Sequence, residues 1–268
     1  MKFHEFYEAD WAAKDGAPPE FDPTLARRQD RIARALRPIM KGRSPREVRV
    51  LDASCGGGFF VNFFSQLGVQ VIGTDISVNA ILRAKRIHPQ ERFVAASAEQ
   101  ALPFADGSFD YVWFGETLAH LFDGHNALSE FNRVLKPGGH LILTTPYHGR
   151  LKNVAIALFA FNQHFYPDNY RLRFYDRRSL TSSLEWAGFT PRQWSGIGRV
   201  WPFWKSFFVV AAKTDLPGHP PTRLHPRPSR ALEIPDAAAD DFLFRPRSRA
   251  INAGLYELVK EDSDIGAD

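Results

Sequence analysis

From residue 48 onward, short apolar runs alternate with longer stretches of helical period. The runs at 48–54, 69–75, 92–96, 109–115 and 140–145 are rich in Val, Ile and Phe and are bounded by Gly, Asp or Pro. That is the pattern of strands buried on both faces. Apolar positions in 59–67, 78–88 and 124–135 recur at the spacing of one helix face and predict helices. Pro137-Gly138-Gly139 predicts a hard turn ahead of the fifth strand. Strand and helix in alternation predict a parallel sheet covered on both sides.

The flanks follow other patterns. Residues 1–46 read as a helical lead-in or lid, with a helix over 24–40 that carries Leu25, Ile32, Leu36 and Ile39 and is broken by Pro38, Gly42 and Pro45. After Pro146 the order shifts: 151–162 reads as a helix and 164–174 as an aromatic, polar loop, so 147–175 forms an insert. A second helix over 176–187 takes Asp176 as its N-cap and Gly188 as its stop. Strands at 189–198 and 206–214 complete a Rossmann-like, seven-stranded, mostly parallel α/β sheet with helices on both faces and an antiparallel last strand. Residues 47–214 are thus the expected domain, and 215–268, rich in Pro and Arg, the expected flexible tail with one short helix over 250–260.

Composition narrows the class. With 44% hydrophobic and 24% charged residues the chain can bury a sizeable core, and its 13% aromatics fit a large core or an aromatic-lined pocket. A net charge of +4 is too small to imply nucleic acid without a clustered patch, and the tail arginines are diluted by prolines and carboxylates. Cys55 is the single cysteine, which excludes an intrachain disulfide and fits a reducing compartment. With no apolar signal core after Met1 and no run long enough for a membrane span, the expectation is a soluble, cytoplasmic protein.

Candidate chemistry begins at Val50-Leu51-Asp52-Ala53-Ser54-Cys55-Gly56-Gly57-Gly58-Phe59, a strand running into small residues and then a helix. Glycine there lets a ligand lie against the backbone at the carboxyl edge of a parallel sheet, although a tight turn without ligand would need it too. The dinucleotide pattern G-x-G-x-x-G fails because its third glycine falls on Val61. The second strand ends on Asp75, which either accepts hydrogen bonds from ribose hydroxyls or caps the following helix; Ser77 suits the capping role better.

With their neighbours, these residues resemble the class I S-adenosylmethionine-dependent methyltransferases. The first motif of that family, an acidic strand end followed by G-x-G-x-G, is matched by Asp52, Ser54, Gly56 and Gly58, with serine in place of the first glycine. Asp75 matches its ribose acid and Ile76 the apolar residue at adenine. The stretch from Ala96 to Asp110 matches a further motif, in which the Ala98-Glu99 pair lies at the adenine, and Arg133-Val134-Leu135-Lys136-Pro137-Gly138-Gly139 matches the turn before the fifth strand. The resemblance spans about residues 48–214 and is nearest the ubiquinone-type O-methyltransferases and their small-molecule relatives. It implies S-adenosyl-L-methionine as cofactor, with Asp52, Gly56 and Gly58 on its methionine side and backbone of Gly115 near its amine. It also implies a small-molecule methyl acceptor and no nucleic-acid partner. The Glu-x-x-Glu-His element proposed to hold a metal in that group stands here as Glu116-Thr117-Leu118-Ala119-His120; the missing carboxylate argues against a catalytic metal.

Methyl transfer to a hydroxyl is helped by a general base, and the candidates are His120, His148 and His164. His120 follows the fourth strand and ranks first, though capping its own turn or binding the methionyl carboxylate would explain it equally. His148 and His164, in the insert, compete with an ordinary surface role. Phe6, Tyr7, Tyr147, Phe161, Phe165, Tyr166 and Trp201 either wall an acceptor pocket or pack against the sheet. Two rivals remain at this level: a methyltransferase of tRNA or other nucleic acid, and a non-catalytic relative that only binds the cofactor.

Overall fold

The computed structural model describes residues 3–13, 23–165, 171–214 and 232–233. Its elements in chain order are α1 (Phe3–Ala13), α2 (Leu25–Met40), β1 (Arg49–Ala53), α3 (Phe59–Gln66), β2 (Gln70–Asp75), α4 (Val78–Ile87), β3 (Arg92–Ala95), β4 (Phe109–Gly115), α5 (Gly124–Val134), β5 (Leu135–Pro146), α6 (Arg150–Phe159), α7 (Phe161–His164), α8 (Arg177–Trp186), β6 (Phe189–Ile197), β7 (Ser206–Lys213) and β8 (Leu232–Glu233). The sheet order is β6-β7-β5-β4-β1-β2-β3-β8. Strands β1 to β5 pair in parallel, whereas β7 runs antiparallel between β5 and β6. The chain reverses its direction of winding between β1 and β4, and ligands of open α/β sheets bind outside the carboxyl ends at such a point.

The apolar runs still sort by face with a period of two. In β4, Val112 and Phe114 enter one core with Leu128 and Phe131 of α5 and Leu180 and Leu184 of α8. Tyr111 and Trp113 enter the other, with Ile32 and Leu36 of α2, Val61 and Phe64 of α3 and Ile81 of α4. Both helical layers are therefore anchored on the strands that carry the site.

Helix ends follow the sequence where capping chemistry is explicit. The Ser77 hydroxyl accepts the N–H of Ala80, and Asp176 forms a capping box with Ser179. Gly188 takes φ 80° after α8, as a stop requires. Three boundaries differ from expectation. Pro137-Gly138-Gly139 lies inside β5 rather than before it, because the strand resumes pairing with β4 on both sides of the interruption. Pro38 does not end α2, which continues to Met40; in the last turn a proline removes one bond at an already frayed end. The helix expected over 151–162 is two, parted at Ala160 with φ −146°.

Leu232 and Glu233, in the stretch read as tail, add an antiparallel edge strand to β3. The short helix expected over 250–260 lies outside the described residues. No helix among the described residues is long and apolar enough to cross a membrane.

Candidate active site

The chain leaves β1 through a loop of unusual backbone. Ser54 takes φ 67°, Gly56 φ 51° and Gly58 φ 81°, so the direction reverses within five residues and α3 begins. Ser54 is the one of the three whose side chain makes this region costly, by about 1–3 kcal/mol. The two glycines are required for different reasons. A Cβ on Gly58 would lie 2.9 Å from the Phe93 ring, so its bare Cα serves packing against β3. A Cβ on Gly56 would lie 2.9 Å from the indole of Trp11 in α1, so its bare face is the one α1 covers.

Two carboxylates lie beside this loop. Asp75 accepts the N–H of Gly56 and the N–H of Ser77, each at 3.0 Å. Burial raises its pKa, and those two donors oppose the rise. Asp52 is 1% exposed, and its Oδ2 has no hydrogen-bond partner. Burial pushes its pKa well up, and the charge of Asp75 pushes the same way.

Sequence reasoning missed Glu8. Its carboxylate takes the hydroxyl of Ser77 at 2.9 Å, the N–H of Val78 at 2.6 Å and the N–H of Asn79 at 3.1 Å. It thereby satisfies donors that a helix start leaves open, where a negative charge is also favoured. This fastens α1 across the carboxyl edge of β1 and β2. Helical spacing in 3–13 gave no hint of a long-range cap, since its partner is backbone.

On the adenine side of the family pattern, Ile76 is half-buried and Ala98 buried. The Glu99 carboxylate turns toward α5 and accepts the N–H of Asp123 at 2.6 Å, while its carbonyl takes the Asn126 amide at 2.6 Å. Burial raises the Glu99 pKa. At the end of β4, a Cβ on Gly115 would lie 2.9 Å from the Trp113 ring, and its carbonyl accepts the Thr117 hydroxyl at 3.0 Å.

Glu116 then adopts φ 59° and accepts the Ser206 hydroxyl at 3.0 Å, with Arg28 of α2 3.3 Å away. Arg28 is 6% exposed. This ion pair was also missed, although a signal existed: Thr24, Arg28, Ile32 and Leu36 are spaced by four and share the buried face of α2. Ala119, where the metal-binding pattern has its second carboxylate, is buried and its carbonyl takes the N–H groups of Leu172 and Arg173. No group of three or more His, Cys, Asp or Glu among the described residues is placed to hold a metal ion.

The three histidines part company. His120 is half-buried in the turn after β4, its N–H on the Thr117 carbonyl. His148 and His164 meet with ring centroids 5.4 Å apart, and Phe174 packs edge-on against His148 at 4.8 Å. His148 is 4% exposed. Its Nδ1 lies 3.2 Å from Asn153 Oδ1, and since that oxygen can only accept, the ring proton is assigned to Nδ1. The Nε2 lone pair is therefore the acceptor, and it is buried without a partner. Burial lowers the pKa to about 4; the Asn153 bond opposes this and the charge of Lys152 adds to it. His164 is lowered by burial and by Arg171. Lys152 itself, pulled to about 8 by burial and by Arg171, donates to the carbonyls of Tyr147 and Trp204 at 2.7 and 3.0 Å.

Of the aromatic candidates, Tyr147 packs into the sheet against Trp204 and Phe207, Tyr7 is half-buried on α1, and Phe161, Phe165 and Trp201 are exposed. The Phe6 side chain and Tyr166 lie outside the described residues.

The chain is similar to known proteins. A family profile described as a methyltransferase domain matches residues 51–143. A malonyl-[acyl-carrier protein] O-methyltransferase of Pseudescherichia vulneris is 30% identical over 181 residues, 67% of this chain and 67% of that protein. The chain belongs to the class I S-adenosylmethionine-dependent methyltransferases. A demethylmenaquinone methyltransferase of Renibacterium salmoninarum is 36% identical over 137 residues, 50% of this chain. This methyltransferase spans 57% of the length of that relative. Among solved structures, magnesium protoporphyrin IX methyltransferase from Synechocystis superposes with a TM-score of 0.58 at 15% identity, covering 79% of this chain and 98% of the other. At that identity the likeness is one of fold, and the fold expected from the sequence is the one observed.

Proposed function

We propose that this methyltransferase moves a methyl group from S-adenosylmethionine to a hydroxyl of a small apolar acceptor. The observation that carries the reading is His148: a neutral imidazole, buried beside His164 and Phe174, with an acceptor nitrogen that no protein group uses. Support for oxygen as the target comes from the Pseudescherichia relative, whose name specifies O-methylation.

The residues fit the cofactor. Gly56 offers backbone without a Cβ beneath the Trp11 ring, Asp52 keeps an unpartnered buried oxygen, and Asp75 spends one bond per oxygen on backbone N–H groups. A carboxylate has about four lone-pair sites, so Asp75 retains acceptors for two ribose hydroxyls. Gly56 and Asp52 would shape the methionine side, Ser54 would set the bend of the loop, and Ile76 and Ala98 would line the adenine. Gly58, Glu99 and Gly115 would contribute mainly by shape, since the bare Cα of each glycine and the Glu99 carboxylate are engaged within the protein. The cofactor supplies a methyl on a positively charged sulfur, already electrophilic. The protein's share is to orient the acceptor, which is worth up to about 7–11 kcal/mol, and to take its proton. His148 Nε2 would accept that hydrogen, with Asn153 holding the tautomer and His164 flanking the ring. His120, ranked first on sequence, would stand second.

The test is His148→Gln, measured with methyl-labelled cofactor against a panel of hydroxylated acceptors. The expected result is a fall in turnover of about 100- to 10,000-fold at unchanged cofactor affinity. Undiminished turnover would remove His148 from the reaction.

A further inference from the structure

Helix α6 is amphipathic in an unusual sense: its outward face is the apolar one. Ile156 points into the protein, whereas Leu151, Val154 and Leu158, spaced by three and four residues, are 59%, 57% and 70% exposed. Phe159 follows at 85% and Phe161 of α7 at 56%. Beside the start of α6 lies the loop joining β6 to β7, because Lys152 donates to the carbonyls of Trp204 and Lys205. That loop exposes Val200 by 79% and Trp201 by 66%. Single exposed apolar residues are ordinary on a protein surface; a stripe of them with an exposed indole on the neighbouring loop marks a docking face.

Charge identifies what docks there. Between residues 147 and 214 the sequence holds ten Lys and Arg against three Asp and Glu, an excess of seven where the whole chain has +4. On the face itself, Arg150 of α6 and Arg199 and Lys205 of the β6–β7 loop are exposed. An apolar stripe with an interfacial tryptophan and a basic surround is the chemistry of a helix lying in the plane of an anionic bilayer surface. The face also leads to the histidine pair: Phe161 meets Phe165 at 5.1 Å, Phe165 meets Phe174 at 5.5 Å, and Phe174 meets His148 at 4.8 Å.

We propose that the face formed by α6, α7 and the β6–β7 loop seats the protein on anionic lipid headgroups, with Leu158, Phe159 and Trp201 entering the headgroup–acyl boundary. Binding of this kind needs no turnover, so it stands or falls separately from the assignment of His148.

The full chain is sedimented with phosphatidylcholine vesicles, with and without phosphatidylglycerol, at low and high salt. The expected result is binding to the anionic vesicles that weakens with salt. A Leu158→Glu/Phe159→Glu variant should lose at least about tenfold in partitioning, while its Tm and S-adenosylmethionine affinity stay at wild-type values. An Arg150→Glu/Arg199→Glu variant should lose the preference for anionic lipid. Three results would overturn the proposal: no vesicle binding, or binding indifferent to both variants; a soluble dimer that the Leu158→Glu/Phe159→Glu change dissociates, which would make the face a self-association surface; or salt-sensitive capture of an RNA oligonucleotide without vesicle binding.

Discussion

The carboxylate of Asp75 accepts the backbone N–H of Gly56 at 3.0 Å, which fastens the acid closing β2 to the loop that follows β1. The acid proposed for the ribose and the backbone proposed for the methionine side are thus one mechanical unit, and disturbing either disturbs both.

Asp75→Ala accordingly has two expected effects. Cofactor affinity by calorimetry should become undetectable, and stability in urea should fall by about 1–3 kcal/mol, because the N–H groups of Gly56 and Ser77 lose their acceptor. Asp75→Asn keeps one carbonyl acceptor and should recover part of the stability without restoring affinity. Full affinity in either variant would remove Asp75 from the cofactor site.

The pH profile of turnover should carry no acid limb from His148 above about 4, since its neutral form persists to that pH. A fall in kcat/KM with an apparent pKa near 6.5 that disappears in His148→Gln would show an ordinary, solvent-facing histidine instead.

Stability should respond to the same group. The folded pKa of about 4 lies below the ordinary 6.5, so the unfolded chain binds the proton more readily. The stabilisation from keeping His148 neutral is complete above pH 6.5 and is lost as pH falls toward 4. Urea titrations across that window should show a slope for the wild type that His148→Gln reduces. Parallel slopes would mean that His148 titrates alike folded and unfolded.

Arg28 anchors α2 to the end of β4 through Glu116. Arg28→Met should cost about 1–3 kcal/mol, since it leaves the Glu116 carboxylate with Ser206 as its side-chain partner. Glu116→Gln should cost more, because it takes the carboxylate away from the guanidinium of Arg28, the more deeply buried charge of the pair. Equal losses in the two variants would contradict this ordering.

Most of the frame was legible because it rests on local rules: period two in β4, the Ser77 and Asp176 caps, the glycine stop at Gly188. The glycine loop and Asp75 were legible because bare backbone at a strand end and an acid one strand away form a short-range pattern. What stayed hidden depends on distant partners. Glu8 looks like any exposed helical glutamate until the start of α4 is placed against it, and the two glycines of the loop read alike although one faces Phe93 and the other Trp11. The histidines could be ranked by strand end alone, whereas burial and the Asn153 contact, which distinguish His148, arise only once α6 forms beside the end of β5.

The indole of Trp11 rests on the bare backbone of Gly56 and Gly57. A ligand seated against that backbone would displace the ring, which changes the polarity around a natural fluorophore. The emission difference between wild type and Trp11→Phe isolates one indole from the other five, and a change in it on adding S-adenosylmethionine would report arrival at the proposed site without a label.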